Sequence, residues 1–154
     1  MSQEIERKFL LKNDNFKKEA WISSKITQGY ISSIPERVVR VRLEEINTNL
    51  KIGYLTIKGI NNESGLSRYE WETEIKFEDA QDLIKLCEPG IIEKIRYKIN
   101  IGNHTFEVDE FLGNNKGLII AEVELKNETE EFEKPSWLGE EVTGNKKYYN
   151  SNLR

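Results

Sequence analysis

Charged residues in this chain come in doublets separated by one position: Glu4-x-Glu6, Arg40-x-Arg42, Glu70-x-Glu72, Lys94-x-Arg96, Glu107-x-Asp109 and Glu122-x-Glu124. A spacing of two is the period of a β-strand, so both members of a doublet point to the same face. Lys8 extends the first doublet, and Lys58 follows Thr56 at the same spacing. Clustered carboxylates are hard oxygen ligands suited to magnesium or manganese. Rows of Arg and Lys suit phosphate oxygens. Brought onto one surface, the two sets would suit a linear polyphosphate bound together with a divalent metal.

The elements that must position these residues are strands. Strand-like segments run over about 3–11, 26–32, 37–46, 52–58, 67–77, 91–100, 104–111 and 118–126. Turn signals separate them: Ser33 to Pro35, Asn61 to Gly65, Pro89-Gly90, Gly102-Asn103 and Gly113 to Gly117. One helix is expected in FEDAQDLIKLCE, with Asp79 near its start and Pro89-Gly90 closing it. A second is expected around 146–153, and a third, short one in NDNFKKEAW. Eight strands at hairpin spacing predict an antiparallel sheet that closes or nearly closes.

Alternation alone permits two arrangements of such a barrel. Apolar residues fill the interior and the charges meet water, or the charges line a tunnel and the apolar residues lie outside. Two features favour the second. The apolar face carries bulky residues in nearly every strand, among them Tyr69, Trp71, Tyr97, Phe106 and Phe111, which is too much volume for a small eight-stranded interior. The charged face carries like-charge doublets, whereas a solvated face more often mixes Lys with Ser, Thr, Asn and Gln. The expected fold is therefore a β-dominated α+β domain over 1–154. It is a closed or nearly closed eight-stranded antiparallel β-barrel with a charged interior and a few covering helices. Glu4, Glu6, Arg40, Arg42, Glu122 and Glu124 are expected to point inward.

The chain has 23 basic and 27 acidic residues, a net charge of −4, which argues against general affinity for nucleic acid or a membrane surface. The single cysteine, Cys87, forms no internal disulfide and reads as a packed thiol. No apolar run marks a membrane span or signal peptide, so a cytoplasmic location is expected. His104 reads as a surface turn residue. Trp21, Trp71 and Trp137 read as packing on the outer face.

The opening EIERKFL contains the Glu-x-Glu-x-Lys signature, and it is followed in order by QGYI, RVRL, LTIKG, GLSRYEWE, EKIRY, FEVDEF, AEVEL and WLGEEVTGNKKYYN. In these blocks the chain resembles the CYTH superfamily, the triphosphate tunnel metalloenzymes, over nearly its whole length, and most closely the short bacterial members.

The resemblance implies a set of roles. Glu4, Glu6, Glu122 and Glu124 match metal-linked carboxylates; Glu70, Glu72, Glu107 and Asp109 match the remaining acidic positions, which hold a second metal or its waters. Lys8, Arg40, Arg42, Lys58, Lys94 and Arg96 match the cations that grip the triphosphate, with Lys147 near the tunnel end. Lys8, Tyr30, Lys58 and Glu72 are implied in catalysis. The tail departs from pattern, since many relatives carry an acidic residue and an arginine where this chain has Asn145 and Lys147. The implied activity is metal-dependent hydrolysis of inorganic triphosphate, with Mg2+ or Mn2+ as cofactor and a small-molecule substrate, in a monomer or homodimer. A class IV adenylyl cyclase, a thiamine triphosphatase and a non-catalytic polyphosphate-binding module are the competing readings.

Overall fold

The computed structural model describes residues 3–154, in which nine strands form one antiparallel sheet. They are β1 (Gln3–Leu11), β2 (Ile22–Ile34), β3 (Arg37–Glu45), β4 (Lys51–Lys58), β5 (Ser67–Ile75), β6 (Ile92–Ile101), β7 (His104–Phe111), β8 (Ile119–Glu124) and β9 (Leu138–Glu141). The order is β5-β4-β3-β2-β6-β7-β8-β1, and β5 pairs back onto β1 through Gln3↔Tyr69, Glu4↔Arg68 and Ile5↔Ser67. That seam closes the predicted eight-stranded barrel and leaves the ring no free edge.

The ninth strand was not expected. β5 leaves β1 after Ile5, and β9 takes up the same edge further on, at Phe9↔Glu141 and Leu11↔Leu138. Its four residues are too few to show an alternation, and Gly139 breaks what pattern there is. A Cβ at Gly139 would lie 2.8 Å from the Leu10 carbonyl oxygen, so the glycine is what lets this strand approach β1.

The apolar faces lie outside the barrel, as the inverted arrangement requires. Phe9, Ile99, Phe106, Val108, Ala121 and Val123 form the larger core with Phe16 and Trp137, which come from the segments laid over the wall. Each fully buried side chain of this kind contributes roughly 1.5–3 kcal/mol. Phe16 belongs to the short helix α1 (Phe16–Glu19), and Glu19 accepts a hydrogen bond from Trp137 Nε1 at 2.9 Å. The three tryptophans differ: Trp137 is buried, while Trp21 and Trp71 stand exposed on the outside.

Helix α2 (Phe77–Ile84) covers the outer face of β3 and β4 and stops four residues short of the expected end, after which turns lead to Pro89-Gly90. Ala80 approaches so closely that a Cβ at Gly53 would lie 2.8 Å from its own Cβ. Cys87 is half-buried, with its thiol 3.7 Å from the Leu83 carbonyl oxygen.

Inside the barrel, a smaller apolar cluster of Tyr30, Val38, Ile92, Phe111, Ile120 and Leu153 fills part of one end. The expected C-terminal helix is instead two 3-10 turns, at Lys146–Tyr148 and Asn150–Asn152, which bring Leu153 into that cluster. Arg154 anchors the tail by ion pairing with Glu88 at 2.7 Å and donating to Ser33 Oγ at 3.2 Å.

Candidate active site

The strand registers assemble the charged residues into cross-strand rows. One row runs Tyr30, Arg40, Thr56, Glu72 across β2 to β5, and the next runs Gln28, Arg42, Tyr54, Glu74. Lys58 faces Glu70 between β4 and β5. On the opposite wall Lys8 faces Glu122, which faces Glu107, which faces Lys98. Glu6 faces Glu124.

These rows enclose a cavity of about 910 Å³. Its walls include every proposed site residue except Lys94, Asp109 and Lys147. The expected inward set of Glu4, Glu6, Arg40, Arg42, Glu122 and Glu124 all reach it. Carboxylates concentrate on β1, β5, β7 and β8, and cations on β3, β4 and β6, so the lumen has an acidic and a basic side.

Lys94 and Asp109 share the inward parity of Arg96 and Glu107 but are buried and do not line the cavity. Lys94 Nζ lies 2.8 Å from Asp109 Oδ2, and Arg96 donates to both Asp109 oxygens at 2.8 and 2.9 Å. Burial favours the neutral acid, but Arg96 and Lys94 outweigh it and hold Asp109 down at about 2. Burial brings the fully enclosed Lys94 ammonium down to about 8 despite Asp109. Lys147 is exposed, its ammonium near the Tyr148 ring.

The acidic side holds two carboxyl pairs, Glu4 with Glu70 and Glu6 with Glu122. In each, one member stays ionised and the other holds a proton more tightly. Burial works against ionised Glu4, but Lys58 at 2.8 Å and Arg68 at 3.3 Å outweigh it and hold Glu4 well below the usual carboxylate range. Glu70 is pushed up to about 7 by burial and the neighbouring Glu4. Glu6 is pushed well above its usual range by burial and by Glu122. Glu122 is held low, because Lys8 and a hydrogen bond from Glu6 outweigh its burial. Lys8 gains from the same contact: Glu122 and Glu6 outweigh its burial and hold its ammonium above its usual value.

Glu72 is different. Burial raises it, but Arg42, a 2.6 Å hydrogen bond from Thr56 and then Arg40 bring it below its usual value. It therefore stays ionised and acts as an anchor for both arginines, at 3.6 and 3.7 Å.

The acidic side of the lumen presents the carboxylate oxygens of Glu4, Glu6, Glu70, Glu122 and Glu124, which fit a hard divalent cation. The crowding of Glu6 on Glu122 is the kind of like-charge contact that such an ion relieves. Among the described residues no three His, Cys, Asp or Glu side chains converge at ligand spacing. The carboxylates are turned instead toward Lys58, Arg68, Arg42 and Lys8, which take the place of an ion's charge.

Several cavity residues lie outside the set expected from the sequence. Arg68 shares the parity of Glu70 and Glu72 and binds Glu4 across the seam. Glu44 and Lys98 share the parity of the basic doublets beside them. Tyr54 lies two positions before Thr56, at the same parity as Lys58. His104 is not a free turn residue: it lines the cavity, with Nε2 2.6 Å from Glu130 Oε2. Nothing local in the sequence pairs those two, since the partner comes from the irregular segment between β8 and β9.

The CYTH domain matches this chain over residues 2–153. The chain belongs to the CYTH family. A CYTH relative named inorganic triphosphatase, from Acetivibrio thermocellus, is 47% identical over 154 residues, covering 99% of this chain and 94% of that protein. Another of the same name, from Nitrosomonas europaea, is 35% identical over 153 residues, covering 97% and 95%. Among solved CYTH structures, that of an inorganic triphosphatase superposes with a TM-score of 0.64 at 31% identity, over 97% of this chain and 96% of that one. A Hippeastrum protein named as a candidate adenylyl cyclase with a dominant triphosphatase activity superposes with a TM-score of 0.58, over 82% and 80% of the two chains. At 12% identity it shares the CYTH fold and no more.

Proposed function

We propose that this chain hydrolyses inorganic triphosphate to diphosphate and phosphate, as one functional unit over 1–154, with Mg2+ or Mn2+ as cofactor. The observation that carries this reading is the enclosed cavity with Arg40, Arg42 and Lys58 on one wall and Glu4, Glu6, Glu122 and Glu124 on the other. The two relatives named inorganic triphosphatase support it over nearly the full chain.

A triphosphate carries several negative charges, and attack by water requires that they be neutralised and the leaving diphosphate stabilised. Arg40 and Arg42 present guanidinium forks to the phosphate oxygens, and Lys58 and Lys8 add point charges on either side. Arg96 is held by Asp109 and offers its remaining edge. Glu4, Glu6, Glu122 and Glu124 would hold the metal, which when bound supplies charge neutralisation and Lewis acidity at phosphate oxygen. Glu70, poised at about 7, is the carboxylate suited to take a proton from water near neutral pH. Glu72, which stays ionised against two arginines, orients them rather than acting as base. Tyr30 packs at the inner end of the cavity beside Arg40.

In this reading the substrate is a small molecule, with no nucleic-acid or membrane partner. The protein works in the cytoplasm as a monomer or homodimer. The test is a phosphate-release screen of triphosphate, ATP, thiamine triphosphate and longer polyphosphate, each with magnesium or manganese. Metal-dependent turnover of triphosphate is expected. Binding without turnover would favour a polyphosphate-binding module, and release of diphosphate with a cyclic nucleotide would favour a cyclase.

A further inference from the structure

The arginines of the cavity are held in unlike ways. Arg96 donates two short hydrogen bonds to Asp109, which fixes its plane and occupies one edge of its fork. Arg42 makes no side-chain hydrogen bond among the described residues. Its nearest carboxylate approaches are both 3.6 Å, from Nε to Glu44 and from Nη2 to Glu72, and Nε has no hydrogen-bond partner although Arg42 is only 8% exposed. The guanidinium also lies over an aromatic ring: Cζ sits 4.4 Å from the centroid of Tyr54. Tyr54 is the direct cross-strand partner of Arg42, so the strand register itself sets one over the other.

This arrangement orients a cation without occupying its donors. A ring face attracts the guanidinium through its quadrupole and restricts the tilt of its plane. The five N–H groups of the fork stay directed along their own plane, where phosphate oxygens bind. The other cross-strand neighbour, Gln28, accepts nothing from Arg42 either, since its fully buried amide has no hydrogen-bond partner.

We propose that Tyr54 is a positioning residue for Arg42, holding the guanidinium by its ring face so that the fork is open to the phosphate chain. The inference rests on the triphosphate reading above. Because the ring face does the holding, the Tyr54 hydroxyl has no part in it, and Phe should serve as well as Tyr.

The experiment is a calorimetric titration of inorganic triphosphate into metal-free protein, in chelator, for wild type, Tyr54→Leu and Tyr54→Phe, followed by steady-state kinetics with metal. Tyr54→Leu is expected to weaken triphosphate binding about tenfold and to raise KM more than it lowers kcat, while Tyr54→Phe stays within about twofold of wild type on both. A purely structural role would lower melting temperature without this split or this rescue. Tyr54→Val, β-branched and suited to a strand, carries the same expectation if the Leu form does not fold. Equal binding by wild type and Tyr54→Leu overturns the assignment while leaving the triphosphate reading intact. So does a Phe variant that loses as much as Leu. A wild type that neither binds triphosphate in chelator nor turns it over with metal overturns the functional reading and this inference together; one that turns it over with metal but does not bind it in chelator overturns this inference alone.

Discussion

Lys58 Nζ donates to Glu4 Oε2 at 2.8 Å, joining β4 to β1 across the intervening β5. The same ammonium lies 3.3 Å from Glu70 Oε2. One buried cation thus serves both carboxylates at the barrel seam, and it does so from the wall that would contact phosphate. Removing it takes a charge from the substrate and leaves Glu4 with Arg68 alone. Lys58→Ala is therefore expected to lower kcat/KM at least about 100-fold, by the same factor on triphosphate and on ATP. Phosphate-release kinetics on the two substrates check this; a loss confined to one would place Lys58 against something other than the phosphates.

The proton on Glu70 gives a pH signature. Its folded value, about 7, lies above the usual carboxylate value, so between those two the folded state binds more protons than the unfolded chain. Its contribution to stability is thus present at low pH and is lost as pH rises through about 7. Without metal, the melting temperature should fall between about pH 5 and 8, and Glu70→Gln should flatten that fall. Thermal melts in chelator across this range measure it. An unchanged slope in the variant would move the proton to another group.

Glu6→Gln keeps size and removes a charge that sits against Glu122. Since burial and Glu122 already resist ionisation of Glu6, the variant is expected to fold, with equal or higher melting temperature at neutral pH in chelator. Its metal-dependent turnover should fall by about two orders of magnitude or more. Normal turnover at limiting metal would remove Glu6 from the metal-holding set.

Much of this was legible in the sequence because side-chain parity in a strand is local information. The doublets at Glu4-x-Glu6, Arg40-x-Arg42 and Glu122-x-Glu124 fixed which face turned inward, and the bulky opposite face fixed that the barrel was inverted. Register was not legible. Whether Asp109 meets a metal or meets Arg96 and Lys94 depends on which β6 residue lies opposite it, and the alternation is the same in either case. The four-residue β9, the 3-10 turns of the tail and the His104–Glu130 pair depend on contacts far apart in the chain, and no period marks them.

Asp109 itself tests that distinction. It is 2% exposed and is the carboxylate partner of two enclosed cations. Asp109→Ala leaves Lys94 and Arg96 without it, a loss expected to cost about 3–5 kcal/mol in stability. Chemical denaturation in chelator measures it directly. Its folded value lies below the ordinary one, so its contribution is present above the unfolded pKa and is lost as pH falls toward about 2. A variant as stable as wild type, with metal affinity lost, would place Asp109 among the metal ligands instead.

Substrate choice follows from what the cavity lacks. A nucleoside triphosphate would need a surface for its base, and the tryptophans do not line the cavity. The aromatic rings that do are already engaged. Tyr30 is buried in the apolar cluster at the inner end, Tyr54 lies under Arg42, and Tyr149 receives a hydrogen bond from Asn61 at 3.1 Å while Lys8 sits 5.6 Å from its ring. Binding energy should therefore come almost wholly from the phosphate chain, gripped by Lys8, Arg40, Arg42, Lys58 and Arg96, and a nucleoside adds bulk without compensating contacts. Inorganic triphosphate is expected to exceed ATP in kcat/KM by at least about tenfold, or ~1.4 kcal/mol of transition-state discrimination. The comparison is made by phosphate release at matched free metal. ATP turned over equally well would mean that the base finds a partner on the cavity rim, and the nucleotide readings would then displace the triphosphatase one.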